Sequence, residues 1–258
     1  MDLGLAGLAA IVTGAGGGIG AATAAAMASS RASVVLVDID EAQLRYQVRR
    51  LEADALTVLG VCADVTRDAD CARVVAEASA AFGRIDVLVN NAAVGSFDST
   101  IESTTEAEWD RVLGINLKGL FLMSRNALRM ISRSDHGCIV NVSSVHAVAT
   151  SQGVLPYAAS KGGVVAMTRS MAIDLAPEGV RAVAVLPGAT DTPMLRQHAE
   201  RQGRSYAELG FATEAGAIGR VGDPEEVARV IAFMASPAAS LVNGAAIVVD
   251  GGLLAAFG

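Results

Sequence analysis

The chain has 258 residues, of which 52% are hydrophobic and 18% charged, and its formal net charge is −7 at pH 7. This acidic balance argues against sequence-independent binding to nucleic acid or to an anionic membrane surface. The length favours one domain over residues 1–258, with enough apolar residues for a large core.

The first residues lack the positive region and apolar stretch of a secretory signal, and no run of eighteen apolar residues is present to span a bilayer. Cys62, Cys71 and Cys138 are odd in number and lack the spacing of metal ligands, so neither disulfides nor a metal site is predicted. We therefore expect a cytoplasmic protein.

Seven short apolar runs rich in β-branched residues alternate with longer helical stretches. The runs cover residues 8–13, 34–38, 56–62, 85–90, 138–143, 181–186 and 245–249. They are apolar without alternation, as expected for strands that are buried on both faces, and the intervals are long enough for crossover helices. The pattern predicts an α/β fold, a Rossmann-type domain whose doubly wound, seven-stranded parallel sheet has helices on both faces.

The first predicted strand runs directly into a glycine-rich segment, residues 13–20, which is followed by an alanine-rich helix. Glycines between a strand and a helix allow a pyrophosphate to approach backbone N–H groups at the positive end of the helix. The second predicted strand ends in Asp38, where a carboxylate is able to accept hydrogen bonds from both ribose hydroxyls. These features alone also fit an S-adenosylmethionine-dependent methyltransferase.

The interval between Pro187 and Pro224 is too long for a single helix. We interpret its central part, about residues 189–220, as a substrate lid built from short helices and loops after the sixth strand. An ordinary surface insertion is the alternative.

The chain has only two lysines, and one of them, Lys161, follows Tyr157 by four residues. On a helix this spacing places an ammonium beside a phenol, and the charge is expected to lower the phenol pKa and make it a usable proton donor or acceptor. The alternative is a tyrosine that packs beside a surface lysine.

Taken together, the motifs resemble the short-chain dehydrogenase/reductase family over nearly the whole chain. The matching elements are Thr13-Gly14-x-x-x-Gly18-Ile19-Gly20, Asp64-Val65, Asn90-Asn91-Ala92, Asn116, Ser143-Ser144, Tyr157-x-x-x-Lys161, Pro187-Gly188 and Thr192. Each follows a predicted strand or lies on a predicted helix, so all are expected at the carboxyl edge of the sheet, where open α/β sheets bind ligands.

The resemblance implies that Tyr157 is the general acid or base of a hydride-transfer reaction. It implies that Lys161 lowers the pKa of that tyrosine and binds the nicotinamide ribose, and that Ser144 orients the substrate C–O bond. Asn116 would hold a water that links Lys161 to solvent; its alternative role is to satisfy a distorted helix turn. Ser143 is expected to be structural.

The resemblance also implies a set of cofactor contacts at the strand ends. These would come from Gly14, Gly17, Gly18, Ile19, Asp38, Asp64, Val65, Asn90, Tyr157, Lys161, Pro187, Gly188, Thr190 and Thr192. Asp38 favours NAD over NADP, because it would repel a 2′-phosphate and no adjacent basic residue offsets it. Asp64 has an equally good alternative role in capping the next helix.

Substrate contacts are expected from Val94, His146, Gln152 and Met194 in a mostly apolar lining. This lining suits a small or medium secondary alcohol or ketone, although a histidine in a loop is often only a surface residue. Basic residues on the lid could receive an anion, but charges spaced along a helix are usually solvated.

The leading hypothesis is an NAD-dependent alcohol dehydrogenase or carbonyl reductase. A 3-oxoacyl-thioester reductase would be expected to prefer NADPH, which Asp38 disfavours. A non-catalytic nucleotide sensor is the third reading, and it has no need of the phenol and ammonium together. Long predicted helices, the apolar carboxyl terminus and the family resemblance predict a homotetramer.

Overall fold

A computed structural model describes residues 3–209 and 218–255 of the chain. Seven parallel strands form one sheet in the order β3-β2-β1-β4-β5-β6-β7. The strands are β1 (Ala9–Thr13), β2 (Ser33–Asp38), β3 (Val58–Cys62), β4 (Val87–Asn90), β5 (Cys138–Val142), β6 (Arg181–Pro187) and β7 (Ala246–Val249). Each predicted strand is confirmed to within two residues at either end. The strand order reverses between β1 and β4, which opens a crevice there.

Eight α-helices connect or follow these strands in the described residues. They are α1 (Gly18–Ser29), α2 (Glu41–Ala53), α3 (Asp68–Phe82), α4 (Glu106–Leu113), α5 (Leu120–Ile131), α6 (Leu155–Asp174), α7 (Pro193–Gln202) and α8 (Pro224–Ala235). A π-helical segment, Gly114–Gly119, joins α4 to α5. None of the described helices is long and apolar enough to cross a membrane.

Helices cover both faces of the sheet, as predicted. Neighbouring residues on a strand point to opposite faces, so Val12 packs with Met27 and Ile231 on one side while Ile11 packs with Met123 on the other. Both faces are therefore apolar, and the absence of alternation in the sequence has its cause here.

Capping residues fix where several helices begin. The Asp40 side chain accepts hydrogen bonds from the backbone N–H groups of Ala42 and Gln43 at the start of α2. Asp223 and Glu226 form a capping box at the start of α8, which satisfies donors that the helix leaves free. These local signals make the helix starts predictable from the sequence.

The predicted lid segment, residues 189–220, contains α7 and a turn that follows it. Residues 210–217 of that prediction lie outside the described residues. Where the segment is described, Thr190 bridges to Gly222, so its two ends lie side by side at the carboxyl end of β6.

Candidate active site

A cleft of about 1120 Å³ opens at the carboxyl edge of the sheet. Its lining combines the glycine-rich segment, the ends of β2, β5 and β6, the start of α6 and the amino-terminal half of α7. The predicted site residues in this lining are Gly14, Gly17, Gly18, Ile19, Asp38, Ser144, His146, Tyr157, Lys161, Pro187, Gly188, Thr190, Thr192 and Met194. Parallel strands end at one edge, so residues far apart in sequence meet here.

The glycine-rich segment turns sharply and leaves room only for hydrogen at its closest approaches. Gly14 has φ +65°, which favours glycine. A Cβ on Gly20 would overlap the carbonyl oxygen of Gly14, so strand and helix can meet this closely only without a side chain. The first turn of α1 carries no acidic residue, so its N–H groups and positive dipole end face the cleft as an anion site.

Asp38 is built into this loop from the end of β2. One carboxylate oxygen accepts a hydrogen bond from the N–H of Gly16 at 2.8 Å, and the other accepts one from the N–H of Asp40 at 2.9 Å. The neighbouring Ile39 is 67% exposed and brings no charge. The carboxylate is therefore held beside the phosphate-binding loop, at the place where an adenosine ribose would lie.

Tyr157 and Lys161 lie on successive turns of α6 and both reach the cleft. The Nζ of Lys161 is 5.6 Å from the centroid of the Tyr157 ring and donates a hydrogen bond of 2.9 Å to the carbonyl of Val142. Only 3% of Lys161 is exposed. This burial lowers the pKa of its ammonium to about 8, because a low-dielectric interior disfavours the charged form.

The pKa of the Tyr157 phenol is raised, whereas the sequence predicted that it would be lowered. Burial raises the pKa of Tyr157 above its ordinary value, and a hydrogen bond with Ser144 opposes that shift only in part. The net pKa of Tyr157 is therefore raised, and the lowering effect of Lys161 stays a prediction. At neutral pH the phenol keeps its proton.

Asn116 occupies the π-helical segment and is buried. Its Oδ1 accepts a hydrogen bond from the N–H of Val94 at 2.8 Å, and its Nδ2 donates to the Val94 carbonyl and to Ser160 Oγ, both at 3.0 Å. Ser160 Oγ in turn donates to the carbonyl of Tyr157 at 2.7 Å. Asn116 therefore links the loop after β4 to the turn of α6 that carries Tyr157. It lies in a distorted helix turn, which agrees with the structural role given above as its alternative.

Five predicted contact residues do not appear in the cleft lining. Asn90 is buried and donates to Ser124 and Asn141, because its strand faces α5 at that position. Val65 packs against Gly119. Asp64 accepts hydrogen bonds from the backbone and hydroxyl of Thr66, a turn role close to its capping alternative. Val94 is held through its backbone by Asn116, and Gln152 is exposed on a turn.

Two residues with structural roles at the site were absent from the predicted set. Thr13 Oγ1 accepts hydrogen bonds of 3.0 Å from the N–H groups of Asn91 and Ala92. The side chain of Asn91 donates to the carbonyls of Thr13 and Gly14. These bonds join the ends of β1 and β4 beside the cleft. The adjacent asparagines Asn90 and Asn91 were the available signal, but the sequence could not show which of them contacts the glycine-rich segment.

The substrate end of the cleft is lined by His146, Met194 and Phe97, of which Phe97 was also absent from the predicted set. His146 meets the Tyr157 ring edge to face at 5.8 Å, and its Nδ1 lies 3.0 Å from Thr150 Oγ1. Burial lowers the pKa of His146, so the ring is neutral at pH 7. Phe97 stacks on His198 of α7 with ring centroids 4.0 Å apart.

The helix α7 is held in place at its start by the glycine loop and by hydrogen bonds to Asp191. Pro193 at its start lies against Gly17, and Thr192 lies against Gly18. Asp191 accepts two hydrogen bonds from Arg196, at 2.7 and 2.8 Å, and one from Tyr206 at 2.7 Å. These contacts hold the described part of the lid segment over the glycine loop.

The residues present fit a dinucleotide. The loop has space for a pyrophosphate only because its glycines lack side chains, and the Asp38 carboxylate faces the adjoining position. No group of three or more possible metal ligands occurs in residues 3–209 and 218–255. The fold and this site together define a nucleotide-binding α/β protein with a half-buried phenol and a buried ammonium at the same cleft.

Comparisons with known proteins agree with that class. The family model described as enoyl-(acyl carrier protein) reductase matches residues 14–254. Cis-4-hydroxycyclohexanecarboxylate dehydrogenase of Sinomonas cyclohexanicum is 41% identical over 247 residues, 95% of this chain and 96% of the relative. The levodione reductase crystal structure matches with TM-score 0.92 and 35% identity over 98% of this chain and 99% of that chain.

A third similar protein is the 3-ketoacyl-(acyl-carrier-protein) reductase of Brucella melitensis, whose structure is a complex with NADH. It matches with TM-score 0.86 and 35% identity, covering 96% of this chain and 98% of that chain. The chain belongs to the short-chain dehydrogenase/reductase family, and the predicted membership is confirmed. It is accordingly an oxidoreductase of CH–OH and C=O groups that uses a nicotinamide cofactor.

Proposed function

We propose that the protein is an NAD-dependent oxidoreductase that interconverts a secondary alcohol and a ketone, with Tyr157 as the general acid and base. The observation that carries this proposal is the convergence of Tyr157, Ser144 and Lys161 on one cleft with the glycine loop and Asp38. A nucleotide sensor has no use for a phenol and an ammonium at the same cleft, so this convergence favours catalysis.

The cofactor would be held by the glycine loop, by Asp38 at the ribose, and by the segment from Pro187 to Thr192. When bound, the cofactor would supply the hydride acceptor for alcohol oxidation and the hydride donor for ketone reduction. The remaining chemistry is proton transfer at the substrate oxygen. Tyr157 is protonated at rest, so its hydroxyl is ready to donate to a ketone oxygen during reduction.

For alcohol oxidation the phenolate form of Tyr157 must accept the proton, so the phenol first has to lose its own proton. A charged Lys161 favours the phenolate through its proximity, even though burial dominates in the resting site. Ser144 shares a hydrogen bond with the phenol and would bind the same substrate oxygen, which fixes the oxygen within reach of the proton. Asn116 is a positioning residue, because its amide holds the turn that carries Tyr157.

The preference for NAD rests on Asp38. Its two oxygens accept hydrogen bonds from Gly16 in the loop and from Asp40, and they lie where a 2′-phosphate would bring like charge. Arg50 of α2 lines the same end of the cleft, so the ratio of NAD to NADP turnover tests which group dominates. We expect NAD to be favoured and Asp38→Ala to erode that preference; an enzyme that already prefers NADPH would refute the assignment.

The test of catalysis is Tyr157→Phe, with Tyr46→Phe as its control, because Tyr46 is an exposed tyrosine on α2. Removing a positioned general acid costs about 10²- to 10⁴-fold in rate. NADH binding, followed by fluorescence, should persist in both variants. Undiminished turnover in Tyr157→Phe would show that the phenol is not the proton carrier.

A 3-oxoacyl-thioester reductase is the second candidate. It is favoured by the similar Brucella protein, a reductase of that class in complex with NADH, so a preference for NAD does not by itself exclude it. Reduction of acetoacetyl-CoA with NADH separates the two candidates. Turnover of that thioester well above turnover of simple ketones would favour the second candidate.

We also propose a homotetramer. Phe121 on α5 and Ile173 on α6 are 45% and 75% exposed, and apolar side chains of this size are commonly covered by a partner subunit. The apolar carboxyl terminus continues beyond the described residues. Light scattering at micromolar concentration tests this, and a monomer would refute it.

The free cysteines support a cytoplasmic location.

A further inference from the structure

The segment from Gly95 to Ser99 is held rigidly beside the catalytic helix. The hydroxyls of Ser96 and Ser99 each donate a 2.8 Å hydrogen bond to the same carboxylate oxygen of Glu108 on α4. The backbone of Ser99 pairs with Gly153 at 2.8 Å and with Leu155 at 3.0 Å, two residues before Tyr157. Phe97 therefore has a defined position relative to the catalytic phenol.

Gly95 makes the position of the Phe97 ring possible. A Cβ at residue 95 would lie 2.5 Å from Cε2 of Phe97 and 3.3 Å from Sδ of Met194. The phenyl ring and the thioether thus meet over the bare backbone of Gly95, and both line the cleft. The result is a continuous apolar wall at the substrate end.

The helix α7 fixes the same wall from the other side. His198 stacks on Phe97 with 20° between the ring planes. Four residues further along α7, Nε2 of Gln202 donates a 2.9 Å hydrogen bond to the carboxylate of Asp98. These two contacts are one turn apart and join α7 to the loop after β4. The position of the apolar wall therefore depends on both elements.

Charge at this end of the cleft does not by itself decide between substrates. Arg196 is paired with Asp191 through two hydrogen bonds, and Lys161 is buried against Val142. Arg201, three residues after His198 on α7, is exposed. The feature that distinguishes this end is therefore its apolar wall.

We propose that Phe97 is a specificity-determining residue, and that with Met194 it selects substrates whose reacting carbon belongs to, or carries, a six-membered ring. A flat phenyl face and a polarisable thioether bury the surface of a ring-sized apolar group, whereas a methyl group leaves most of that wall in water. This inference rests on the proposed function, since it concerns the substrate of the same cleft.

The test compares cyclohexanol, 2-propanol and 3-hydroxybutyrate as substrates at saturating NAD. In the wild-type enzyme we expect kcat/KM for cyclohexanol to exceed that for 2-propanol by about 10-fold or more, the effect of one good apolar pocket contact. 3-Hydroxybutyrate is expected to be poorer than cyclohexanol, because it has no ring-sized apolar group to cover the wall. Equal values for the two neutral alcohols, or a preference for 3-hydroxybutyrate, would overturn the inference.

Variants locate the cause of the preference. Phe97→Ala should lower kcat/KM for cyclohexanol about 10-fold, mainly through KM, with a much smaller loss for 2-propanol and the same KM for NAD. Phe97→Leu should restore part of the preference, and Gly95→Ala should reduce it by displacing the ring. Gln202→Ala tests the contact with α7 and should raise the KM for cyclohexanol alone.

The outcomes also separate this inference from the proposed function. An enzyme that oxidises 2-propanol and cyclohexanol equally well keeps the proposed function and loses the inference. Parallel losses for both alcohols in Phe97→Leu would assign Phe97 to folding and would also overturn it. Failure to oxidise any alcohol with NAD or NADP would reject the proposed function, and the inference with it.

Discussion

Replacing Lys161 by methionine is expected to abolish catalysis and yet to make the folded protein more stable. The side chain is 3% exposed, and its described hydrogen bond joins Nζ to the Val142 carbonyl. Methionine has nearly the same length and no charge, so it can occupy the same space. The enzyme would thus hold a buried charge for function at a cost in stability.

The size of the effect follows from the lysine pKa. Burial moves it from 10.5 to about 8, and each pKa unit corresponds to about 1.36 kcal/mol, so charging the buried amine at pH 7 costs on the order of 3 kcal/mol. The variant loses the hydrogen bond to Val142, which costs about 1 to 2 kcal/mol. The net expectation is a gain of about 1 to 2 kcal/mol in the free energy of unfolding.

The pH dependence of the free energy of unfolding provides a second, independent test of this reasoning. Because the lysine pKa is lower in the folded state, the unfolded state binds more protons between pH 8 and 10.5, and this group's penalty is relieved as pH rises through that window. Cys71 and Cys138 act oppositely: burial raises each thiol pKa from 9.0 to about 11, so their contribution is lost as pH rises above 9. Both cysteines remain in the variant, so their effects cancel in the difference.

The measurement is urea unfolding of both proteins without cofactor at pH 7, 8 and 9. The advantage of Lys161→Met should shrink by about 1 kcal/mol between pH 7 and 9. Lys118→Met is the matched control, since Lys118, the other lysine, is exposed and its replacement should leave unfolding almost unchanged. A variant less stable than wild type at pH 7, or an advantage that does not change with pH, would refute the reasoning.

Two further predictions concern the glycine loop and the opposite end of the sheet. Gly20→Ala places a Cβ on the Gly14 carbonyl oxygen, and we expect NADH affinity to fall at least about 10-fold by fluorescence titration, because the turn must open; unchanged affinity would contradict the loop assignment. Asp86 is fully buried, and its carboxylate accepts hydrogen bonds from Ala9 N–H, from Ser134 and from Arg84. Although burial opposes it, these bonds lower the pKa of Asp86, so its contribution should be present above pH 3.8 and lost as pH falls. Asp86→Ala should cost about 1 to 3 kcal/mol in urea unfolding at pH 7, because it leaves the buried Ala9 N–H without its acceptor. A loss well below about 1 kcal/mol would show that the network is dispensable.

Strands and motif positions were predictable because the physics that places them is local. An uninterrupted apolar run such as residues 181–186 suits a strand buried on both faces, whatever lies next to it. Glycines between a strand and a helix indicate a close turn in the same way. Tyr157 and Lys161 were paired by helix geometry alone, since residues i and i+4 share one face.

Other features depended on distant parts of the chain. Asn90 and Asn91 are adjacent, and only the twist of β4 against α5 and β1 decides that the first is buried and the second meets the glycine loop. Gln152 was predicted near the substrate and lies exposed on a turn, while Phe97 reaches the cleft because α7 and Gly95 leave it that position. No local pattern reports such packing.

Periodicity, glycine positions and residue types were enough to specify the fold class, the family and the chemistry available at the cleft. The electrostatics of Tyr157 and Lys161 and the shape of the predicted substrate end became clear only in the folded protein. A pKa depends on how completely a group is removed from water and on what it faces, which no spacing records. For Tyr157, burial outweighs the hydrogen bond with Ser144, and for Phe97, contacts from a helix about one hundred residues away set the wall of the site.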